Sequence, residues 1–553
     1  MRDPDLSLYQ RAEIFLMRRT NYETFKSIPY DEMALSLERI RNFLAFLGNP
    51  DRQYAIVHVA GTKGKGSVCA ALDQIYRAAG YRVGLFTSPH LEEIVERFQI
   101  DGKNCDKNLF AETTCALAEQ WKNFQALERK KRRESDSFDV PERPLTFFEW
   151  TLVIAVVLFA RARVDVAILE VGMGGRFDST NVCDADVSVL TSVSFDHCEQ
   201  LGHTLQEIAS EKLGIVKSNA PLVCGCGLAS TFYEDFDAVQ KKEEEVRRRL
   251  WNDMCEKNDG AARFRRVNRL PDDERDSCVE QGEDQAPRLN VGRDLDVCDY
   301  SLLVDPQTIV TRRDLEEVRR MAKDKATEFN APFVSIEALS PRVAALPTPP
   351  FDLVKRWNFE IALRVVEILA NRKSAPDRRP GADGDAPVRR FPVSDAAIMN
   401  AAAHYAVPAR FEIVSKAPLV VVDGAHNRAS VAAFLREALE RYPNKKIKVL
   451  LATTRGKDVR GMLAELASRA DEIYLSQRSS DARAESLPEL INETERLLDE
   501  TCSEDSTIRR KFHVAPDFRA FLTDYKSRPD KGDVLCAIGS FYFAAEVRKM
   551  FKG

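Results

Sequence analysis

The chain has 553 residues, enough for two to four domains with large apolar cores. Apolar residues make up 44% and charged residues 30%, an ordinary balance for a globular protein, and the net charge of −5 gives no basic field for nucleic acid. The longest apolar run, Thr151–Ala160, is too short to cross a bilayer, and the charged N-terminus MRDPDLSLYQRAEIF has no signal-peptide core. The twelve cysteines are scattered, with Cys224 and Cys226 as the only close pair, so they read as reduced thiols of a cytoplasmic protein.

In chain order, the first patterned region is Tyr54–Lys217, where short apolar runs alternate with helical periodicity, as in a parallel α/β sheet. Tyr54–Ala60 (YAIVHVA) reads as a buried strand. A glycine loop follows, then an amphipathic helix from about Ser67 to Ala79. Further strands are expected over Tyr81–Ser88, Val164–Gly172 and Asp184–Val193. The segment Asp237–Leu250 reads as a charged helix with Glu243/Arg247, Glu244/Arg248 and Glu245/Arg249 at favourable i,i+4 spacing. Charged, weakly periodic stretches at Glu128–Asp139 and about Trp251–Ala331 read as surface insertions, which loop-closure entropy tolerates. The basic run Lys130–Arg133 has acidic flanks and no interleaved aromatics, so it reads as a solvated loop.

The Pro-, Gly- and charge-rich loop Asn371–Arg390 lies near a domain boundary. A second α/β series follows, with strands over Ala417–Asp423, Lys446–Thr453, Glu472–Gln477 and Asp533–Gly539. The fold expected is α/β: an N-terminal P-loop ATPase-type parallel-sheet domain, residues 1–405, and a smaller C-terminal Rossmann-like domain, residues 406–553. The second lacks Gly-x-Gly-x-x-Gly, so no dinucleotide is indicated.

The loop AGTKGKGS (Ala60–Ser67) joins a buried strand to a helix. Backbone amides, the helix N-terminus and Lys65 together make a phosphate cradle, although the spacing departs from the strict P-loop pattern. A phosphate site calls for Mg²⁺, which takes oxygen ligands and few of them from protein. The ends of the expected strands supply Ser88 in TSPH, Glu170 in LEVGMGG, and Asp196-His197 in SFDH. All would lie at the carboxyl rim of one sheet, where open parallel sheets bind ligands. Taken singly, His197 reads as a structural histidine and Lys212 as a surface lysine; the constellation carries the argument.

The segments HVAGTKGKGS, FTSPHL, ERFQIDG, LEVGMGGRFDSTN, the FDH…EKLGIVK stretch and DGAHN occur in that order. Together they closely resemble the folylpolyglutamate synthase and dihydrofolate synthase family, within the Mur ligase superfamily. The resemblance covers about Tyr54–Lys217 and Pro408–Ala545, and the family's own phosphate loop is spaced as here. It implies an ATP-dependent amide ligase that joins L-glutamate to dihydropteroate or a reduced folate through an acyl phosphate. Gly61, Thr62, Lys63, Gly64, Lys65, Gly66 and Ser67 would bind ATP, with Asn358, Arg410 and Asp423. Asn358 is preceded by Val354-Lys355 where the family carries His-Gln. Ser88, Glu170 and His197 match magnesium positions. Lys212 matches a lysine the family carries as a carbamate. Lys65, Lys212 and His426 would serve catalysis. Pterin-side contacts would come from about Ala34–Leu37, from Thr146, Phe148 and Glu149, and from Phe177, Asp178 and Ser179. Gly456-Lys457-Asp458 is expected to face the same cleft. The resemblance implies a cytoplasmic monomer with small-molecule substrates and neither nucleic acid nor membrane as partner. The alternatives are a Mur-type cell-wall ligase, disfavoured by TSPHL with GGRFDSTN, and a non-catalytic ATP-binding scaffold.

Overall fold

A computed structural model describes residues 6–21, 37–134, 144–226, 312–346, 353–372, 390–478, 484–501, 507–527 and 532–552. The expected charged helix Asp237–Leu250 and most of the two longer loops lie outside these residues.

The first domain is built on an eight-stranded sheet. Its strands are β1 (Ala55–Ala60), β2 (Val83–Phe86), β3 (Phe98–Ile100), β4 (Lys103–Asn104), β5 (Val166–Glu170), β6 (Val187–Leu190), β7 (Leu222–Cys224) and β8 (Phe333–Ser335). Their spatial order is β4-β3-β2-β5-β1-β6-β7-β8. Strand β3 is antiparallel to both of its neighbours, β2 and β4, and the other pairs are parallel. All six residues of β1 are buried. That follows from its central position: helices cover both faces of the sheet, so no residue of the strand meets water. The helices Lys107–Glu134 and Phe147–Ala162 form one core with the N-terminal segments. The helices Lys65–Ala78, Leu353–Asn371 and Asp395–Ala403 form the other. The apolar run Thr151–Ala160 is the middle of a buried helix, which explains why it is apolar on every side.

Two expected insertions are shorter than their charge suggested. Residues 128–134 continue the helix Lys107–Glu134. Residues 312–331 are part of the domain: the helix Arg312–Glu328 buries Val318, Ala322 and Ala326 beside the helix Leu205–Leu213, and leads into edge strand β8. One apolar stripe on a very polar helix is enough to dock it, and composition averaged over the segment hides that stripe.

The second domain has strands β9 (Glu412–Lys416), β10 (Leu419–Val422), β11 (Ile447–Leu451), β12 (Glu472–Leu475), β13 (Phe512–Val514) and β14 (Val534–Ile538), in the order β13-β12-β11-β14-β10-β9. All pairs are parallel except β9–β10. Cys224 and Cys536 sit buried in β7 and β14 as expected, and the cysteines of the described residues are free thiols. Tyr405 still packs in the first domain's core, and its Oη donates to the Ser67 carbonyl at 3.0 Å.

Candidate active site

The strand order places β1 between β5 and β6, the switch point of the first sheet. Ligands bind in the crevice beyond the strand ends at such a point. The phosphate loop leaves β1 there and enters the helix Lys65–Ala78. Two glycines are forced by geometry. Gly61 has φ +151° and a Cβ would lie 1.9 Å from Thr191 Oγ1; Gly64 has φ +85° and a Cβ would lie 2.6 Å from Asn358 Oδ1. The end of β6 shapes the loop from below. Thr191 Oγ1 donates to the Lys63 carbonyl at 2.6 Å, and the Lys63 amide donates to Ser192 Oγ at 3.0 Å. No side chain caps the helix, and among the described residues the amides of Lys65, Gly66 and Ser67 meet no protein acceptor. They are left for an anion. Lys65 Nζ rests on its own loop, 3.0 Å from the Gly61 carbonyl.

Beside the loop, Ser88 and Glu170 adjoin: the Ser88 amide donates to Glu170 Oε2 at 3.3 Å. Glu170 is buried, and burial pushes its carboxyl up, against the opposing charge of Lys65 and the Ser88 amide. A Cβ on Gly66 would lie 3.4 Å from Glu170 Oε1, so the carboxylate faces the phosphate loop. His197, at φ +55°, caps the short helix that follows β6; burial lowers its imidazole to about 4, so it is neutral. Among the described residues no three His, Cys, Asp or Glu side chains converge as a metal nest. An all-protein cage is therefore absent among them. A serine hydroxyl without a protein hydrogen bond among the described residues, one carboxylate and one neutral imidazole fit a cation that keeps water and phosphate in its shell.

Lys212, in the helix Leu205–Leu213, is buried and lines the cleft. Burial and the nearby Lys65 charge lower its amine to about 7. Among the described residues its Nζ makes no hydrogen bond.

Across the cleft, the second domain brings Arg410, His426 and Lys457. His426 Nδ1 donates to the Gly424 carbonyl at 2.7 Å, which leaves Nε2 as the acceptor for Lys63 Nζ at 3.0 Å. Burial first, then Lys63, lowers His426 to about 4, in keeping with a neutral ring. Asp196 is the joint between the domains. It accepts Lys63 Nζ at 3.0 Å and Lys457 Nζ at 3.1 Å, with His426 Nε2 at 3.9 Å. Burial alone would raise the Asp196 pKa; Lys63, His426, His197 and Lys457 outweigh it and hold the carboxyl well below the usual range. Lys63 itself is lowered to about 8 by burial, against the pull of Asp196.

The cleft between the domains has a volume of about 1990 Å³ and takes in the whole phosphate loop, Ser88, Glu170, His197, Lys212, Asn358, Arg410 and His426. Asp423 also serves the structure: its two oxygens accept the amides of Phe411 and Ala425, both at 2.7 Å, so it braces the Arg410 loop. The pterin-side group also lines the cleft, but three of its polar members are engaged in structure. Thr146 and Glu149 form the capping box of the helix Phe147–Ala162, and Glu149 pairs with Arg39 at 2.5 Å. Asp178 accepts the amides of Gly172, Met173 and Thr180 and the Thr180 hydroxyl, shaping the glycine turn after β5. Phe148 packs under Gly172, where a Cβ would come within 2.8 Å of its ring, while Phe177 and Ser179 line the wall. Of the expected segment Ala34–Leu37, only Leu37 lies among the described residues. The reading from sequence offered Asp196 among the candidate Mg²⁺ ligands and Lys457 as facing the cleft, and saw in neither the contact between the two domains; it did not single out Phe541, which also lines the cleft. The basic residues after β11 were the available signal for Lys457; nothing local marks Phe541.

A phosphate loop on one wall and a basic, histidine-bearing wall on a second α/β domain define the Mur class of ATP-dependent ligases. Two sequence families match accordingly: the Mur ligase middle domain over residues 137–224, and the Mur ligase, glutamate ligase domain over residues 409–541. The chain is 29% identical over 522 residues to a dihydrofolate synthase/folylpolyglutamate synthase of Escherichia coli, covering 93% of this chain and 91% of that protein. It is 26% identical over 518 residues to the protein of that name from Bacillus subtilis, covering 93% and 95%. Among solved structures, the bifunctional folylpolyglutamate synthase/dihydrofolate synthase of Yersinia pestis, complexed with AMPPNP and Mn ion, superposes with TM-score 0.64 at 22% identity, covering all of both chains. E. coli FolC in complex with DHPP and ADP gives 0.64 at 21%, covering 100% of this chain and 99% of that one. The chain thus carries both Mur ligase domains and is similar over 93% of its length to dihydrofolate synthase/folylpolyglutamate synthase proteins.

Proposed function

We propose that the protein joins L-glutamate to a folate-type carboxylate at the expense of ATP, giving ADP and phosphate. The observation that carries this reading is the pairing of walls: an open phosphate loop faces Arg410, His426 and Lys457 across one cleft. Relatives solved with AMPPNP and Mn, with ADP and DHPP, and with L-glutamate support the same substrate set.

A carboxylate is a poor electrophile. The folate-side carboxylate oxygen attacks the γ-phosphorus of ATP, the bond to the β-bridging oxygen breaks, and ADP leaves. The amides of Lys65–Ser67 and the Lys65 ammonium stabilise charge on the transferring phosphoryl group. The neutral amine of glutamate then attacks the acyl carbon, phosphate leaves with the C–O electron pair, and the amine gives up a proton. Lys457 supplies a cation for a glutamate carboxylate, and the second domain closes the cleft against water. Ser88, Glu170 and His197 would hold Mg²⁺, which neutralises phosphate charge when bound. Lys212 is the position for a carbamate. An amine lowered to about 7 is substantially neutral at physiological pH; it can add to CO₂ and release one proton. Among the described residues no helix is long and apolar enough to cross a membrane. The reading is of a monomeric cytoplasmic enzyme.

The test is ADP release by the purified protein with Mg-ATP and L-glutamate, with dihydropteroate and reduced folate monoglutamate in separate reactions and product masses checked. Turnover in both, each product gaining one glutamate, shows both synthase activities; turnover in one assigns a single activity. Silence in both refutes the folate reading and favours a cell-wall ligase or an ATP-binding scaffold.

A further inference from the structure

Arg410 is fixed at its backbone and oddly free at its side chain. Its neighbours Ala409 and Phe411 both hold left-handed backbones, φ +52° and +47°, which L residues adopt only when their surroundings impose it. The surroundings do so. The Ala409 amide donates to Glu412 Oε2 and its carbonyl accepts the Gly424 amide, both at 2.9 Å. The Phe411 amide is held by Asp423. The loop therefore aims residue 410 at one place.

The guanidinium, by contrast, makes no hydrogen bond among the described residues. Its ion pair with Asp423 is 4.0 Å long, and both Asp423 oxygens already accept backbone amides. The contact that orients it is aromatic: its Cζ lies 4.2 Å from the centroid of the Phe541 ring. Phe541 is the first residue of the C-terminal helix Phe541–Lys552 and lines the cleft. The same ring is wedged against Gly424, where a Cβ would come within 2.8 Å, and stands 6.3 Å from His426. A ring so confined is a rigid plate. An arginine on such a plate keeps its five N–H donors in the guanidinium plane and unused. The charge also reaches the first domain, where it acts on both Glu170 and Lys63 beside the phosphate loop.

We propose that Phe541 is a positioning residue: its ring face holds the Arg410 guanidinium across the cleft so that it meets the terminal phosphate of the bound nucleoside triphosphate. This rests on the reading of the cleft as an ATP site and adds to it the element that aims the second-domain cation. It follows that discrimination between a triphosphate and a diphosphate depends on an aromatic side chain that touches no phosphate.

The experiment measures binding of Mg-AMPPNP and of Mg-ADP by titration calorimetry to the full chain and to Phe541→Leu, Phe541→Tyr, Arg410→Ala and the Phe541→Leu/Arg410→Ala double variant. Thermal unfolding checks that each is folded. Phe541→Leu should lose about 2- to 30-fold of the preference for AMPPNP over ADP, the span of a cation–π contact from exposed to desolvated. ADP binding should be nearly unchanged. Phe541→Tyr, which keeps the ring face, should retain the preference. The double variant should lose no more than Arg410→Ala alone. An unchanged preference in a folded Phe541→Leu overturns the proposal. So do losses that multiply in the double variant, and so does equal weakening of both nucleotides, which would mark a general structural role. Absence of binding of either nucleotide to the unaltered protein refutes the ATP-site reading itself, a different outcome from any of these.

Discussion

Replacing Asp196 by Asn tests the joint between the domains. The carboxylate holds Lys63 from its own domain and Lys457 from the other, at 3.0 and 3.1 Å. Breaking a buried charge pair by removing one partner costs about 3–5 kcal/mol. Here the side chains of Asp196, Lys63 and Lys457 keep 13%, 28% and 21% of their exposure, so water screens part of the interaction. A loss of about 2–3 kcal/mol is expected near pH 6.5, after discounting that range for solvent. The pH dependence has a definite sign. Lys63 titrates at about 8 with Asp196 present, and Asp196 raises it, so the variant's Lys63 titrates lower still. Between those two values the native wild type binds more protons than the native variant, so the stability gap narrows as pH rises through about 8. Above it, Lys63 is neutral in both proteins and only the Lys457 share remains. The measurement is urea unfolding of both proteins at several pH values from 6.5 to 9.5, in EDTA without nucleotide, so that metal and phosphate do not contribute. A gap that stays constant or widens across pH 8, or a variant as stable as wild type at pH 6.5, would refute the assignment of Asp196 as the joint.

Lys65→Ala should reduce ATP-dependent turnover by about 10²-fold or more with thermal stability nearly unchanged, since among the described residues the one hydrogen bond of its Nζ is to the Gly61 carbonyl; near-normal kcat would remove the phosphate role. Gly64→Ala puts a side chain on a left-handed backbone and against Asn358, so nucleotide affinity should fall by roughly tenfold, from about 1–2 kcal/mol of strain; titration with Mg-AMPPNP decides. Lys212→Met should abolish most activity, and excess bicarbonate should not restore it. Because burial lowers the native Lys212 pKa from 10.5 to about 7, the charged amine's cost to the fold is fully present below pH 7 and vanishes as pH approaches 10.5. Lys212→Met should therefore gain most in stability relative to wild type at pH 6 and progressively less on the alkaline side; a pH-independent difference in unfolding would contradict this.

The phosphate loop was legible from sequence because every signal for it is local. A buried strand, glycines and a helix start lie within about twenty-five residues, and the conformations they require follow from which residues tolerate them. The alternation of strands and helices likewise announced two parallel α/β domains, and the polar residues after β2, β5 and β6 were readable as one rim. Roles that depend on what a side chain touches were not readable. Thr146 and Glu149 line the cleft, but only the structure shows that the helix starts there and uses both as its cap. Nothing in the DGAHN stretch tells that the Asp423 oxygens accept the amides of Phe411 and Ala425 and brace the loop that carries Arg410. The helix Arg312–Glu328 reads as a surface insertion because its few apolar residues are outnumbered, yet those few decide its place. The sequence by itself determined the chemistry on offer: a phosphate cradle, cation ligands and a second domain with its own basic residues. Only the tertiary structure decided how they act together. Asp196 meets Lys457, 261 residues away, and Arg410 lies on the Phe541 ring. Such contacts carry no periodicity and no fixed spacing. They arise where the two domains meet, and that meeting is governed by complementary surfaces that no short stretch of chain encodes.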